Sequence, residues 1–124
     1  MDPVGLRVFV CRNLRAGCYS VRAETGPERG RVVAHAVAVE VRDAVLRVSA
    51  AGRARVLRER TKNVHAGVLG TCVGVDHDPD RLDVRLRYDP YRWGSFVRGD
   101  DESAVRTASR VVLRPDGVTG DDVG

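Results

Sequence analysis

A mainly β fold, of α+β type with one short helix near residues 50–61, follows from three features of this 124-residue chain. Valine fills 23 positions, and β-branched side chains suit a pleated surface better than a helix. Apolar and polar residues alternate with a period of two in several short segments, as in strands with one buried face. Gly- and Pro-containing reversals separate these segments at short intervals, which favours a small barrel or a strongly twisted antiparallel sheet.

Taken in order, Leu6, Val8 and Val10 define a first strand, and Tyr19, Val21 and Ala23 a second, with Arg15-Ala16-Gly17 as the reversal between them. The turn Gly26-Pro27-Glu28-Arg29-Gly30 leads into a run from Arg31 to Val48 that places Val33, Val37, Val39 and Val41 on one face. His35 shares that parity and reads as a hydrogen-bonded core residue. Parity slips around Asp43 and Ala44, because Val45 and Leu46 are both apolar, so a turn or bulge belongs there. Ser49 is an acceptable N-cap for a helix in which Ala50, Ala54 and Leu57 share one side and Arg55, Arg58 and Lys62 the other. Gly52 costs that helix about 1 kcal/mol relative to Ala, so it should be short and held by packing. Residues 64–75 read as a strand whose three glycines imply bends or close backbone approach. Leu82, Val84, Leu86 and Tyr88 alternate with Arg81, Asp83, Arg85 and Arg87, and Val105, Val111 and Leu113 with Arg106, Arg110 and Arg114. Asp78-Pro79-Asp80 and Pro115-Asp116-Gly117 are the remaining reversals. Residues 1–116 are expected to form a single β-rich domain, and the polar, glycine-rich residues 117–124 a flexible tail.

A 13.6-kDa chain is long enough for one modest core and too short for two. No stretch approaches the roughly 20 apolar residues of a membrane span, and no charged-then-apolar leader opens the chain. A cytoplasmic location with no membrane partner is expected. Cys11, Cys18 and Cys72 are odd in number and match no common zinc spacing, so three reduced, mostly buried thiols and no cofactor or metal are expected. The basic residues are 20 Arg and the single Lys62, against 17 acids, for a formal charge of +4. Arginine over lysine is what a GC-rich genome yields, so the preference alone is no sign of phosphate binding. Placement is more informative. Residues 1–62 hold 13 basic and 6 acidic side chains, a net +7, whereas residues 63–124 hold 8 and 11, a net −3. Such asymmetry marks a face for an anionic partner if the fold gathers the excess.

The segment Val21-Arg22-Ala23-Glu24-Thr25-Gly26-Pro27-Glu28-Arg29-Gly30-Arg31-Val32-Val33 resembles the KOW motif of SH3-like small barrels in ribosomal and transcription-elongation proteins. The resemblance covers residues 19–35 and lacks the further glycine usual after the turn. It implies an SH3-like barrel in which Arg22, Arg29 and Arg31 approach phosphates; an ordinary hairpin is the alternative. The remainder of the chain resembles small phage and prophage proteins through Lys62-Asn63-Val64-His65-Ala66 and Tyr88-Asp89-Pro90-Tyr91, a likeness that implies no activity.

Tyr88, Tyr91, Trp93 and Phe96 are four of six aromatics and interleave with Arg87, Arg92 and Arg98. Aromatic faces stack on unpaired bases while guanidinium groups hold phosphates; alternatively these rings form a loop minicore. Arg53, Arg55, Arg58, Arg60 and Lys62 are opposed only by Glu59, a cluster that solvent or an anionic partner must neutralise. Asp76-His77-Asp78-Pro79-Asp80 opens like a calcium loop, but Arg81 and Arg87 stand where Gly and Glu are required. Acid-base chemistry would need His35 and His65 to meet. Cys72 has no adjacent base, and no Walker loop, nucleophile elbow or HExxH occurs.

The reading that follows is a non-catalytic module binding RNA or DNA phosphates through Arg22, Arg29, Arg31, Arg53, Arg55, Arg58, Lys62 and Arg92, with Tyr91 and Trp93 stacking on bases. The alternative is a protein-interaction module, such as a phage-encoded inhibitor of a host or defence protein, anchored by the aromatic loop. A third is a small nuclease or hydrolase.

Overall fold

A computed structural model describes residues 2–13, 16–48, 54, 57–60, 66–76, 80–88 and 96–124. Within them the period-two segments become nine strands: β1 (Arg7–Asn13), β2 (Cys18–Ala23), β3 (Val32–Ala36), β4 (Val39–Val48), β5 (Ala66–Val75), β6 (Val84–Tyr88), β7 (Phe96–Arg98), β8 (Thr107–Arg114) and β9 (Gly117–Asp121). They pair antiparallel in one sheet of order β3-β2-β1-β5-β4-β8-β9-β6-β7. Fully buried Val8, Val10, Val21, Val39, Val41, Val68 and Val111 form the centre of the core.

Chain connectivity forces this sheet to curl. Ala36 and Val39 are three peptide steps apart, so their Cα atoms lie within about 11 Å of each other. A flat sheet would hold β3 and β4, four places apart in strand order, about 19 Å apart. Curling brings them together, and the Val37 amide donates to Asp76 Oδ1 at 2.7 Å across the gap. The Tyr19 hydroxyl likewise donates to the Arg114 carbonyl at 2.8 Å, joining β2 to the end of β8. The sheet nonetheless does not close: of the two expected forms it is the twisted antiparallel sheet, nine strands curled around one core, and not a closed SH3-like barrel.

Two glycines show how tightly it is drawn. A Cβ on Gly67 would lie 2.5 Å from the Phe9 ring, and one on Gly70 would lie 2.5 Å from Val41 Cγ1 and 2.6 Å from the Arg42 carbonyl oxygen. The expected irregularity in β4 is present: pairing with β5 shifts between Arg42 and Val45, where Asp43 has φ 49°.

Other expectations need correction. The run 31–48 is two strands, and the link at Val37 and Ala38 reverses the parity between them. Ala34 and Ala36 stand opposite core residues Val21 and Tyr19, so His35 points to the other face and is exposed rather than a core histidine. Val37, on the link itself, is 57% exposed. Residues 54 and 57–59 are helical, and Arg60 ends the turn in the left-handed region at φ 54°. The rest of the expected 50–61 helix lies outside the described residues, but Ala54 and Leu57 are exposed, so the proposed apolar face is not buried. The supposed tail is ordered as β9, lodged between β8 and β6, with Thr119 and Gly120 buried and the Gly124 carbonyl accepting from the Arg106 and Thr107 amides. Hydrophobic patterning misses this strand because Val118 is its one apolar residue and Gly120 sits where a Cβ would meet Leu86 Cδ1 at 3.0 Å. Of the three free thiols, Cys72 is buried, but Cys11 and Cys18 are only half-buried.

Candidate functional site

The face of the sheet turned away from the core carries the site. Period-two alternation sends Val8 and Val10 of β1 inward and Arg7 and Phe9 outward. In β4 it buries Val41 and Leu46 and turns Arg42 and Arg47 outward, and in β8 it buries Val111 and exposes Arg110.

Register then aligns these outward residues. Arg7 stands opposite Thr71, Thr71 opposite Arg42, Arg42 opposite Arg110, and Arg110 opposite Asp121. Three arginines thus occupy one row running across β1, β5, β4, β8 and β9. The next row is largely apolar, with Phe9 opposite Leu69 and Leu69 opposite Val45. Beyond it Arg47 stands opposite Gly67. Arg22 joins the middle row from β2, its guanidinium carbon 4.9 Å from the centroid of the Phe9 ring.

Like charges directly opposite on a sheet repel. Glu40 relieves one side of the Arg42 and Arg110 pairing by accepting from Arg110 Nη2 at 3.1 Å. Among the described residues, Arg7, Arg42 and Arg47 have no ion pair with an acid. Burial pushes the Cys11 thiol up, against the opposing influence of Arg22, so it stays protonated beside this face.

The expected site residues are only partly united here. Arg22 belongs to the outer face, although Glu24 pairs with it at 2.9 Å. Arg29 and Arg31 lie in the β2–β3 turn, which is closed by hydrogen bonds from the Ala23 amide to the Arg31 carbonyl and from the Gly30 amide to the Ala23 carbonyl. Arg31 is paired with Glu28 at 3.6 Å, whereas Arg29 is exposed. Arg58 pairs with Glu59 at 3.7 Å. Arg53, Arg55, Lys62, Tyr91, Arg92 and Trp93 lie outside the described residues, as does His65. His35 has Ser20 as its neighbour, with Nδ1 3.5 Å from the hydroxyl. No group of three His, Cys, Asp or Glu is arranged to hold a metal ion among the described residues, and no helix there is long and apolar enough to cross a membrane.

Arg7, Arg42, Arg47 and Arg110 are the residues that sequence reasoning passed over. A signal exists for them: each is the polar neighbour of a buried residue in a strand, and none except Arg42 has an acid two places away on its own face.

Residues 1–121 match the protein family described as Mycobacterium phage L5 gene 82 protein. The chain belongs to this phage gene 82 family. A curated relative, the Gene 82 protein of Mycobacterium phage L5, is 37% identical over 124 residues, an alignment covering 95% of this chain and 98% of the relative. No solved structure matches the chain at a significant level. The likeness to small phage proteins is therefore correct at the level of family. This member of the gene 82 family presents an arginine-bearing sheet face, on which the second row offers little for stacking: the Phe9 ring lies between Arg22 and Gly67.

Proposed function

We propose that the protein is a small, non-catalytic nucleic-acid-binding module that holds RNA or DNA phosphates on the outer face of its sheet, in the cytoplasm of the infected cell. The observation that carries this reading is the row in which Arg42 faces Arg110, with Arg7 two strands away and, among the described residues, only Arg110 matched to an acid. A fold retains such repulsion at low cost when a polyanion neutralises it. Arg22 and Arg47 flank the row, and Arg29 and Arg31 extend the basic surface along the turn that resembles the KOW motif. Because Phe9 is already covered on both sides, phosphate contact rather than base stacking dominates at this face, and sequence discrimination is weak.

Fluorescence anisotropy with generic single- and double-stranded oligonucleotides, repeated across a salt series, tests the reading. Binding is expected at low salt, with log K falling linearly against log salt. Absence of binding at about 50 mM salt, where phosphate contacts are strong, would sink the proposal.

A second reading is a protein-interaction module, such as an inhibitor of a host or defence protein. It is favoured by β3, a sheet edge flanked by exposed Val32 and Val37, whereas the opposite edge, β7, is covered by a bridge between Val97 and Ala104. An open edge is a template for a partner strand. Complex formation that survives high salt and is lost on Trp93→Ala would favour this reading over phosphate binding.

A further inference from the structure

A pocket opens at one end of the packed core. A cavity of about 250 Å³ lies between β1, β2 and β5 on one side and β6, β7, β8 and β9 on the other. It is open to solvent on one side and so is a cleft at the end of the core, not a void of the packed interior. Leu86, Phe96, Leu113 and Val118 supply apolar wall in front of the sealed Val10 and Val68. The polar edge is provided by Arg12, which period-two geometry directs to the core side after Val8 and Val10, opposite Tyr19. Its guanidinium carbon lies 5.2 Å from the Tyr19 ring centroid, which holds the head beside the cavity.

Arg12 has no ion pair with an acid among the described residues. The second arginine of the wall, Arg114, is by contrast paired with Asp116 at 3.4 Å. A half-exposed cation beside an apolar hollow suits a ligand with an apolar body and one anionic end. The body displaces poorly held water, and a carboxylate accepts charge-assisted hydrogen bonds from the guanidinium fork. We propose that this cavity binds a short amphiphilic monocarboxylate, its chain against Leu86, Phe96 and Val118 and its carboxylate on Arg12. The site is on the opposite face from the arginine row, so its occupancy and phosphate binding are separable.

Octanoate is a suitable probe, with 1-octanol as the uncharged control, titrated into the full chain below the micellar range. Methyl NMR signals of Leu86, Leu113 and Val118 are expected to shift saturably with octanoate, and 1-octanol to bind about tenfold more weakly, as loss of a charge-assisted hydrogen bond implies. Arg12→Gln should remove that preference while the spectrum otherwise stays native. Val118→Phe should fill the cavity and abolish both titrations; where this variant does not fold, the Arg12→Gln comparison decides alone. No saturable methyl shift with octanoate, or an octanoate affinity unchanged in Arg12→Gln, overturns the proposal.

Discussion

The arginines of the first half of the chain and those of the second half are used differently. After residue 62, Arg81 pairs with Asp116, Arg87 with Glu102 at 2.6 Å, Arg98 with Asp100 at 2.9 Å, and Arg114 with Asp116. In the first half, Arg7, Arg29, Arg42 and Arg47 have no ion pair among the described residues. The reason is local. Arg98 and Arg114 are the last residues of β7 and β8, and the turns that follow hold Asp100 and Asp116 within their reach. Arg7 has Gly5 and Phe9 two places away, Arg47 has Val45 and Ser49, and the acid beside Arg42 is Glu40, engaged by Arg110. Arg22, Arg31 and Arg58 of the first half are paired as well, and Arg85 of the second half has no ion pair among the described residues, so the net +7 and −3 mark a bias towards available cations in the first half and not a clean division; exposed pairs contribute only about 0–1 kcal/mol each.

The strongest way to break this comparison is to neutralise each group in turn. Replacing Arg7, Arg42 and Arg47 together with Gln should make the slope of log K against log salt less negative by about 2–3, since each phosphate contact contributes about 0.7–0.9. Replacing Arg81, Arg87 and Arg98 together should leave that slope nearly unchanged; equal losses in the two triple variants would erase the distinction.

Gly70→Ala tests the support beneath the row. The added methyl meets Val41 and the Arg42 carbonyl, so unfolding free energy should fall by about 1–3 kcal/mol in denaturant titrations, as for other overpacked sites. An unaltered midpoint would show that the strands there have room to part.

Glu40→Gln should act in opposite directions on two measurements. Stability should drop by about 1 kcal/mol as Arg110 loses its partner, while oligonucleotide affinity rises because Arg110 becomes available to phosphate. Weaker binding would mean that Glu40 orders the row rather than masking it.

The smallest effect concerns acid. A hydrogen bond from Arg98 holds the Asp100 carboxyl well below its ordinary value of 3.8. A depressed folded-state value stabilises the fold above the unfolded pKa and is lost as pH falls through the folded one. Asp100→Asn should therefore lower Tm slightly at neutral pH, with the difference from the parent shrinking on acidification below about pH 4. A difference that widens in acid would contradict the assignment.

Much of the strand content was legible because valine parity records local burial. β1, β2, β6 and β8 follow it, and the bulge at Asp43 announced itself when Val45 and Leu46 broke the alternation. Where parity depends on the chain's path through space, the pattern misled. The reversal at Val37 and Ala38 serves the crossing from β3 to β4, and it moved His35 from the expected core to the exposed face. β9 carries little apolar signal because Val118 is its one apolar residue, so a central strand resembled a loose end. Half of the site was similarly out of reach: Arg22, Arg29 and Arg31 stand out beside a recognisable turn, whereas Arg7, Arg42 and Arg110 are separated by tens of residues and become a row only through register.

The sequence by itself determined the mainly β character, the surplus of arginine in the first half and the phage gene 82 family. Tertiary structure alone decided that the sheet curls without closing, that one face gathers unpaired arginines and that a pocket opens at one end of the core. The physical reason is that alternation along a strand is a property of neighbours in the chain, whereas register and curl arise from hydrogen bonding between distant strands and from the short link between β3 and β4.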